Sequence, residues 1–363
     1  MSRLALSLRP ALALFGLLLV ASGCDRNISK ESDNASAQAS KPAVTVQLNW
    51  LHDPTFVAQY ILTTSDVLEV RLREGGPNVV PLGEVLASRA QFAIVGADIF
   101  LKYLGENSAE PGKSELVCVF VDFQKNPVGW VLHPDVAKEL GLTDVTRADG
   151  RQLNKWVAEQ IRLDRIRVGD KRGTESTSVW LQWRDRQGLS PDTKVVPVGF
   201  DPGIVLSAPK MLYPVYLNEQ PFRLSEKTRQ EGKGDVIVVD PVLDGVNLYG
   251  NVIVARRDFV SKKRDVVELF QQEVRKAWEF VKTHPDQGAK EVAARYTGVA
   301  SDTVAAQVAR TLDLVYTDGV VPGHMDESKN GMWVTTLRAL QEAGCVNGSL
   351  RAEQVLDALV PPK

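Results

Sequence analysis

From Val44 onward, short β-rich runs alternate with amphipathic helical stretches, and this alternation narrows the fold more than any other feature of the chain. VTVQL (44–48), LEVRL (68–72), QFAIVG (91–96) and LVCVFV (116–121) read as strands. A short helix from Pro54 to Leu62 and another running through Ser88 after the turn Gly75-Gly76-Pro77 separate the first three. VGWVLH (128–133), RIRVG (165–169), KVVPVG (194–199) and DVIVVD (235–240) form a second group of strands, with helices from Gly150 to Arg162 and from Thr174 to Gln187. Between the last two of these strands lies MLYPVYLNEQP (211–221), apolar and aromatic but broken by two prolines. After YGNVIVA (249–255) the periodicity is helical, as in Leu269, Val274, Trp278 and Val281 or Trp333, Leu337 and Leu340. The pattern predicts an α/β protein of two lobes with largely parallel sheets, joined by two crossing segments near 122–130 and 244–251. Lobe one is expected over 44–125 and 250–363, including C-terminal helices packed back on it, and lobe two over 126–249. The chain's 363 residues suffice for two such domains.

Composition removes several function classes. The 43 basic and 45 acidic residues nearly balance, and the basic ones are scattered, so no field exists to hold nucleic acid. Three cysteines and four histidines (His52, His133, His284 and His324) are too dispersed for the short ligand spacings of a metal site, and neither metal nor cofactor is expected. There is no Gly-x-Ser-x-Gly elbow, no phosphate loop and no His-Glu-x-x-His, which leaves catalysis without a motif. Cys118 lies in an apolar strand run and Cys345 ends a predicted helix; pairing between them stays open.

The first residues carry an export signal. Arg3 and Arg9 mark a basic start, and Ala11 to Ala21 form an apolar run too short to span a bilayer, where about 20 apolar residues are needed. The run ends in Ala21-Ser22-Gly23-Cys24, which resembles a bacterial lipobox and implies cleavage before Cys24 and acylation of its thiol, although Ala21 stands where the pattern more often has Leu and ordinary secretion is the alternative. Asp25 resembles the residue that retains lipoproteins at the inner membrane. Residues 1–23 are thus read as a signal peptide and 24–43 as the lipidated cysteine and a polar tether. Removing the signal leaves 41 basic residues against 45 acidic ones, a net charge of −4.

Two lobes with two crossovers imply a cleft, and cleft ligands sit beyond the carboxyl ends of strands. Loops in that position contain Asn49-Trp50-Leu51-His52-Asp53-Pro54, Ala97-Asp98, Gly173-Thr174-Glu175-Ser176 and Phe200-Asp201-Pro202. Trp50, with Phe56 on the following helix, offers a flat aromatic wall or a cap on the core. Asp98 and Thr174 suit helix N-caps as well as ligand contact. Lys171 and Arg172 would suit an anion, but Glu175 beside them opposes one. Tyr213 to Glu219 concentrates aromatic, amide and carboxylate groups, with Tyr216, Asn218 and above all Glu219 as candidate contacts. Tyr249 and Asn247 on the second crossing segment are placed to close a pocket or to support the hinge.

VQLNW (46–50), GGPNV (75–79), FQKNPVGW (123–130), GTES (173–176), VPVGFDP (196–202), YLNEQP (216–221) and YGNVIV (249–254) together resemble the NMT1/Thi5-like substrate-binding proteins of ABC importers. The resemblance covers roughly residues 44–300 and implies a type II periplasmic-binding fold, a small-molecule ligand held between two lobes, and a cognate permease and ATPase. It also implies a monomer on the periplasmic side of the inner membrane. Within that branch the thiamine-pyrimidine-precursor group is most similar, which implies stacking by Trp50 and Tyr216 and polar contacts from Asp98, Glu175 and Glu219; Phe56, Thr174, Ser176, Phe200, Asn218 and Tyr249 complete the expected site. Riboflavin and sulfonate or other organic-anion binding are the alternatives, and a pyrimidine-synthase-like enzyme is the alternative from another class. The cysteine-rich motif of the fungal synthases has no counterpart here. Leu62-Thr63-Thr64-Ser65-Asp66 also runs almost at once into Leu68, so about a turn or two of helix found in relatives is expected to be missing from the first lobe's wall.

Overall fold

The structure is a computed structural model that describes residues 41–107, 113–172, 174–317 and 319–363, with nothing said of the side chain of residue 145. The expected signal peptide, Cys24, most of the expected tether and Gly173 lie outside the described residues.

Among the described residues ten strands form two sheets: β1 (Ala43–Gln47), β2 (Glu69–Arg73), β3 (Phe92–Gly96), β4 (Leu116–Val121), β5 (Val128–Leu132), β6 (Arg167–Asp170), β7 (Val195–Pro197), β8 (Met211–Tyr216), β9 (Ile237–Val239) and β10 (Asn251–Arg256). The first sheet has the order β2-β1-β3-β10-β4 and the second β7-β6-β8-β5-β9. In each, a single strand runs against its neighbours: β10 is antiparallel to β3 and β4, and β5 to β8 and β9. The remaining pairings, β1 with β2 and β3 and β6 with β7 and β8, are parallel, as the alternation of strands and helices predicts. In each sheet the antiparallel strand is the one by which the chain arrives from the other sheet.

Near-continuous apolar runs form the central strands because both faces of each sheet are covered. Phe92, Ile94, Val119 and Ile253 meet the helix Arg264–Thr283, where Val267, Phe270, Val274 and Trp278 recur at helical spacing. Cys118, Val121, Val252 and Val254 point the other way, onto the helices Ala97–Asn107 and Met332–Glu342. Trp130, Trp180 and Trp183 build the core of the second lobe against the helix Glu175–Arg186. The segment with two prolines holds a strand the sequence pattern did not yield. Pro214 stands beyond Leu212, where pairing with β6 stops, so its missing N–H costs no ladder bond on that side. Both described cysteines are free thiols, which answers the question of a Cys118–Cys345 bridge.

The chain crosses between the sheets through 122–127 and 240–250. The two crossings are laced together: Phe123 N–H donates to Asn251 O at 2.9 Å and Gly250 N–H to Phe123 O at 3.0 Å. Gly250 is required by that approach, since a Cβ there would lie 2.7 Å from Lys125 O and 2.9 Å from Phe123 Cβ. Asp122, fully buried at the start of the first crossing, accepts from Trp278 Nε1 at 2.5 Å and Gln59 Nε2 at 2.9 Å; burial raises its carboxyl to about 7 against those two donors.

Candidate functional site

The carboxyl ends of β1 and β3, the amino end of β10 and the helix start after β6 converge on the seam between the sheets. Asp98 begins the helix that leaves β3, and Glu175 begins the helix that leaves β6 behind its N-cap Thr174, whose hydroxyl accepts from Ser176 N–H at 3.3 Å. The carboxylates meet over Gly96: a Cβ on that glycine would lie 2.5 Å from Asp98 Oδ1 and 3.3 Å from Glu175 Oε2. Gly96 therefore leaves the space the two carboxylates occupy.

Glu175, 7% exposed, accepts from the Tyr216 hydroxyl and from Asn126 Nδ2 at 3.2 Å. Asn126 also donates to Tyr249 O at 3.3 Å and its Oδ1 accepts from Val128 N–H at 3.0 Å, so the crossing segment itself orients Glu175. Asp98 Oδ1 is buried and has no hydrogen-bond partner. Burial, then the Glu175 charge, raises the Asp98 carboxyl to about 8; burial likewise raises Glu175, opposed by Tyr216, Asn126 and Lys171.

Aromatic rings also meet across the two lobes. Trp50 reaches from the first lobe to Phe200 of the second, with centroids 5.4 Å apart and planes tilted by 40°. Phe200 is 48% exposed and holds the outer position. Lys171 Nζ stands 4.8 Å from the Tyr213 ring centroid and 5.9 Å from that of Phe200, and desolvation lowers its ammonium to about 8 despite Glu219 and Glu175.

A second group fastens the lobes. Asn218, fully buried, donates to Thr55 Oγ1 at 3.2 Å and Thr311 Oγ1 at 3.0 Å. Glu219 accepts from the Tyr296 hydroxyl and from Arg223 at 3.3 Å, and its backbone carbonyl accepts from Gln307 Nε2 at 3.0 Å. Asp53 accepts from Thr55 N–H at 2.7 Å, and burial followed by the Glu219 charge raises it to about 7.

Of the residues named from sequence, the structure gathers Trp50, Asp98, Thr174, Glu175, Ser176, Phe200 and Tyr216 at the seam. Ser176 donates to Asp170 Oδ1 at 3.2 Å and supports the helix start. Phe56, expected as part of an aromatic wall, is 1% exposed inside the first lobe's core, and Tyr249 packs 5.1 Å from Trp333 while its hydroxyl accepts from Asp326 N–H at 3.1 Å. Glu219 and Asn218 already have protein partners. Sequence reasoning did not select Asn126, Asn49 or Asn251, although all three stand in strand-flanking motifs, and that position was the available signal. The first helix is short, Val57–Leu62, as the sequence implies. A cavity of about 530 Å³ opens beside its end, between Leu62, Ser65, Glu273 and Phe280; another of about 240 Å³ lies beside Glu219, Asp201 and Arg223. Neither is lined by Asp98 or Glu175. Among the described residues no cluster could hold a metal ion, and no helix is long and apolar enough to cross a membrane.

Two mixed α/β sheets of this order, joined by two crossings, make the periplasmic-binding-protein fold, and solved structures share it. The periplasmic aliphatic sulphonate-binding protein SsuA of Escherichia coli superposes with a TM-score of 0.58 at 12% identity, over 89% of this chain and 94% of that one. SsuA of Xanthomonas axonopodis pv. citri, bound to MOPS, gives 0.57 at 13% identity over 89% and 99%. The nitrate-binding protein NrtA of Synechocystis gives 0.56 at 12% identity over 88% and 86%. The NMT1/THI5 like family model matches residues 185–288, the same family that the sequence motifs resemble. No curated protein matches the chain.

Proposed function

We propose that this chain is the extracytoplasmic solute-binding component of an ABC importer, holding a small amino-substituted heterocycle, such as a thiamine-precursor pyrimidine, between its lobes. The observation that carries this reading is the buried acceptor set at the seam, where Asp98 Oδ1, without a hydrogen-bond partner, and Glu175 face one another over Gly96, while Trp50 and Phe200 meet across the lobes. Flat rings stack on aromatic faces, and carboxylates accept from amino groups. Cleavage before Cys24 and acylation would hold the protein at the membrane next to its permease and ATPase. The two lobes follow the crossings, with 44–125 and 250–363 as one and 126–249 as the other, and domain closure would trap the ligand.

One observation favours the organic-anion reading carried by the sulphonate- and nitrate-binding relatives. Lys171 makes no ion pair among the described residues and lies against Phe200 and Tyr213. Thermal-shift screening of aminopyrimidines, flavins, alkanesulfonates and polyamines separates the two, because a ligand that binds only the folded state raises its melting temperature. An aminopyrimidine shift lost in Asp98→Asn supports the first reading; an alkanesulfonate shift lost in Lys171→Ala supports the second and removes the first.

A further inference from the structure

Asn251 opens β10 and is fully buried, yet its Nδ2 has no hydrogen-bond partner. Burying an amide in that state costs free energy that a bound group can recover. Asn251 is paired with Gly96 across the antiparallel ladder. Residues directly opposite in such a ladder project from the same face, so the Asn251 side chain leaves the sheet on the side where Gly96 has none. Over that face lie Asp98 Oδ1 and Glu175 Oε2, separated by less than the sum of their 2.5 Å and 3.3 Å distances from the position of a Gly96 Cβ. Asn49 Nδ2 reaches Asn251 Oδ1 at 3.5 Å, and Asn49 Oδ1 is itself buried without a partner. The unpaired groups are thus two acceptors, Asp98 Oδ1 and Asn49 Oδ1, and one donor, Asn251 Nδ2.

We infer that the seam over Gly96 takes a monocationic ammonium or amidinium group, and that this cation replaces one proton which Asp98 and Glu175 share in the unliganded closed protein. The inference rests on the solute-binding reading above. Two carboxyl groups this close in a water-poor site do not both ionise without a counter-charge, and the pair titrates as a unit. One cation enters and one proton leaves to solvent, so the charge of the seam is unchanged. Lys102 on the helix of Asp98 lowers the proton affinity of Asp98, and Lys171 after β6 and the Tyr216 and Asn126 donors lower that of Glu175, while the Cys345 thiol lies within range of Asp98 and Asp53 lies within range of the Tyr216 hydroxyl. Asn251 would donate to an acceptor atom beside the cationic group, which distinguishes a substituted ring or amide from a simple amine.

The test uses the full mature chain and benzamidine, a flat monocation that stays protonated throughout the range studied. Calorimetric titration at pH 7 in two buffers of different ionisation enthalpy should show close to one proton released per molecule bound, with affinity rising up to tenfold per pH unit until it levels near pH 8, the value for Asp98. Asp98→Asn and Glu175→Gln should each abolish proton release. A melting comparison needs no ligand. Asp98 is raised in the folded state, so its favourable contribution is full at low pH and is lost as pH rises toward about 8. The melting temperature of Asp98→Asn should therefore gain on that of the natural protein between pH 5 and pH 9. Benzamidine binding without proton release, no binding even at pH 9, or a pH-independent melting difference would each overturn the inference. Binding of an alkanesulfonate or flavin that is lost in Trp50→Ala would overturn it while leaving the solute-binding reading in place.

Discussion

Trp50 and Phe200 come from different lobes and approach to 5.4 Å between ring centroids, with planes tilted by 40°, so one aromatic contact bridges the two lobes. Trp50 is rooted in the first lobe's core, whereas Phe200 is half-exposed on a loop after β7. The two are expected to separate when the lobes part.

Because Phe200 is half-exposed and has little burial to lose, Phe200→Ala should leave the unfolding free energy of the unliganded protein within about 0.5 kcal/mol of the original. Ligand affinity should fall by about threefold to tenfold, the equivalent of one aromatic contact. Titration followed by tryptophan fluorescence reads both the affinity and the opening of the Trp50 contact; an unchanged affinity would place the ligand elsewhere.

Gly250 sits where the crossings touch. Gly250→Ala forces a Cβ to within 2.7 Å of Lys125 O and 2.9 Å of Pro127 Cδ, and should cost about 1–3 kcal/mol of stability in denaturant unfolding. Gly348→Ala, with nothing within 4 Å of the new methyl, is the matched control and should change stability by less than about 0.5 kcal/mol.

Asp122 ties the first crossing to Trp278. Trp278→Phe removes a donor from a buried carboxyl and should destabilise by about 1–3 kcal/mol. Since burial raises Asp122 to about 7, its favourable contribution is complete below its unfolded value and is lost as pH climbs through 7. Asp122→Asn should flatten that part of the stability profile, and an unaltered slope between pH 4 and pH 7 would contradict the assignment.

Asn218 joins the loop after β8 to Thr55 and Thr311. Asn218→Ala should lower stability by about 1–2 kcal/mol and quicken proteolysis at the seam. A stability equal to that of the original protein would mean that the lobes are held together by other contacts.

The strand alternation was legible because both sheets are covered on both faces, so apolar runs such as LVCVFV had few alternatives. β8 was hidden by Pro214, whose placement beyond the β6 pairing is a tertiary fact with no local mark. Trp50, Asp98 and Glu175 were legible because each follows a strand by one or two residues or opens the next helix. Phe56 occupies a similar position yet turns inward, and sequence position does not tell a ring that lines a cleft from one that fills a core. Asn126 and Asn251 were missed since a single amide carries no periodic signal; their roles come from Glu175 and Gly96, each distant in sequence. Glu219 looked like a free anchor because its partner Tyr296 lies 77 residues away, just past the end of the helix Pro285–Ala293 of the other lobe.

The most direct measurement is a thermal-shift titration of the mature protein with 4-aminopyrimidine and with an alkanesulfonate, repeated on Asp98→Asn and Trp50→Ala. A cleft built on Asp98, Glu175 and the Trp50–Phe200 rings predicts stabilisation by the aminopyrimidine, about 2.7 kcal/mol at a hundredfold excess over Kd, that disappears in both variants. Stabilisation by the alkanesulfonate alone, surviving in Asp98→Asn, would contradict it.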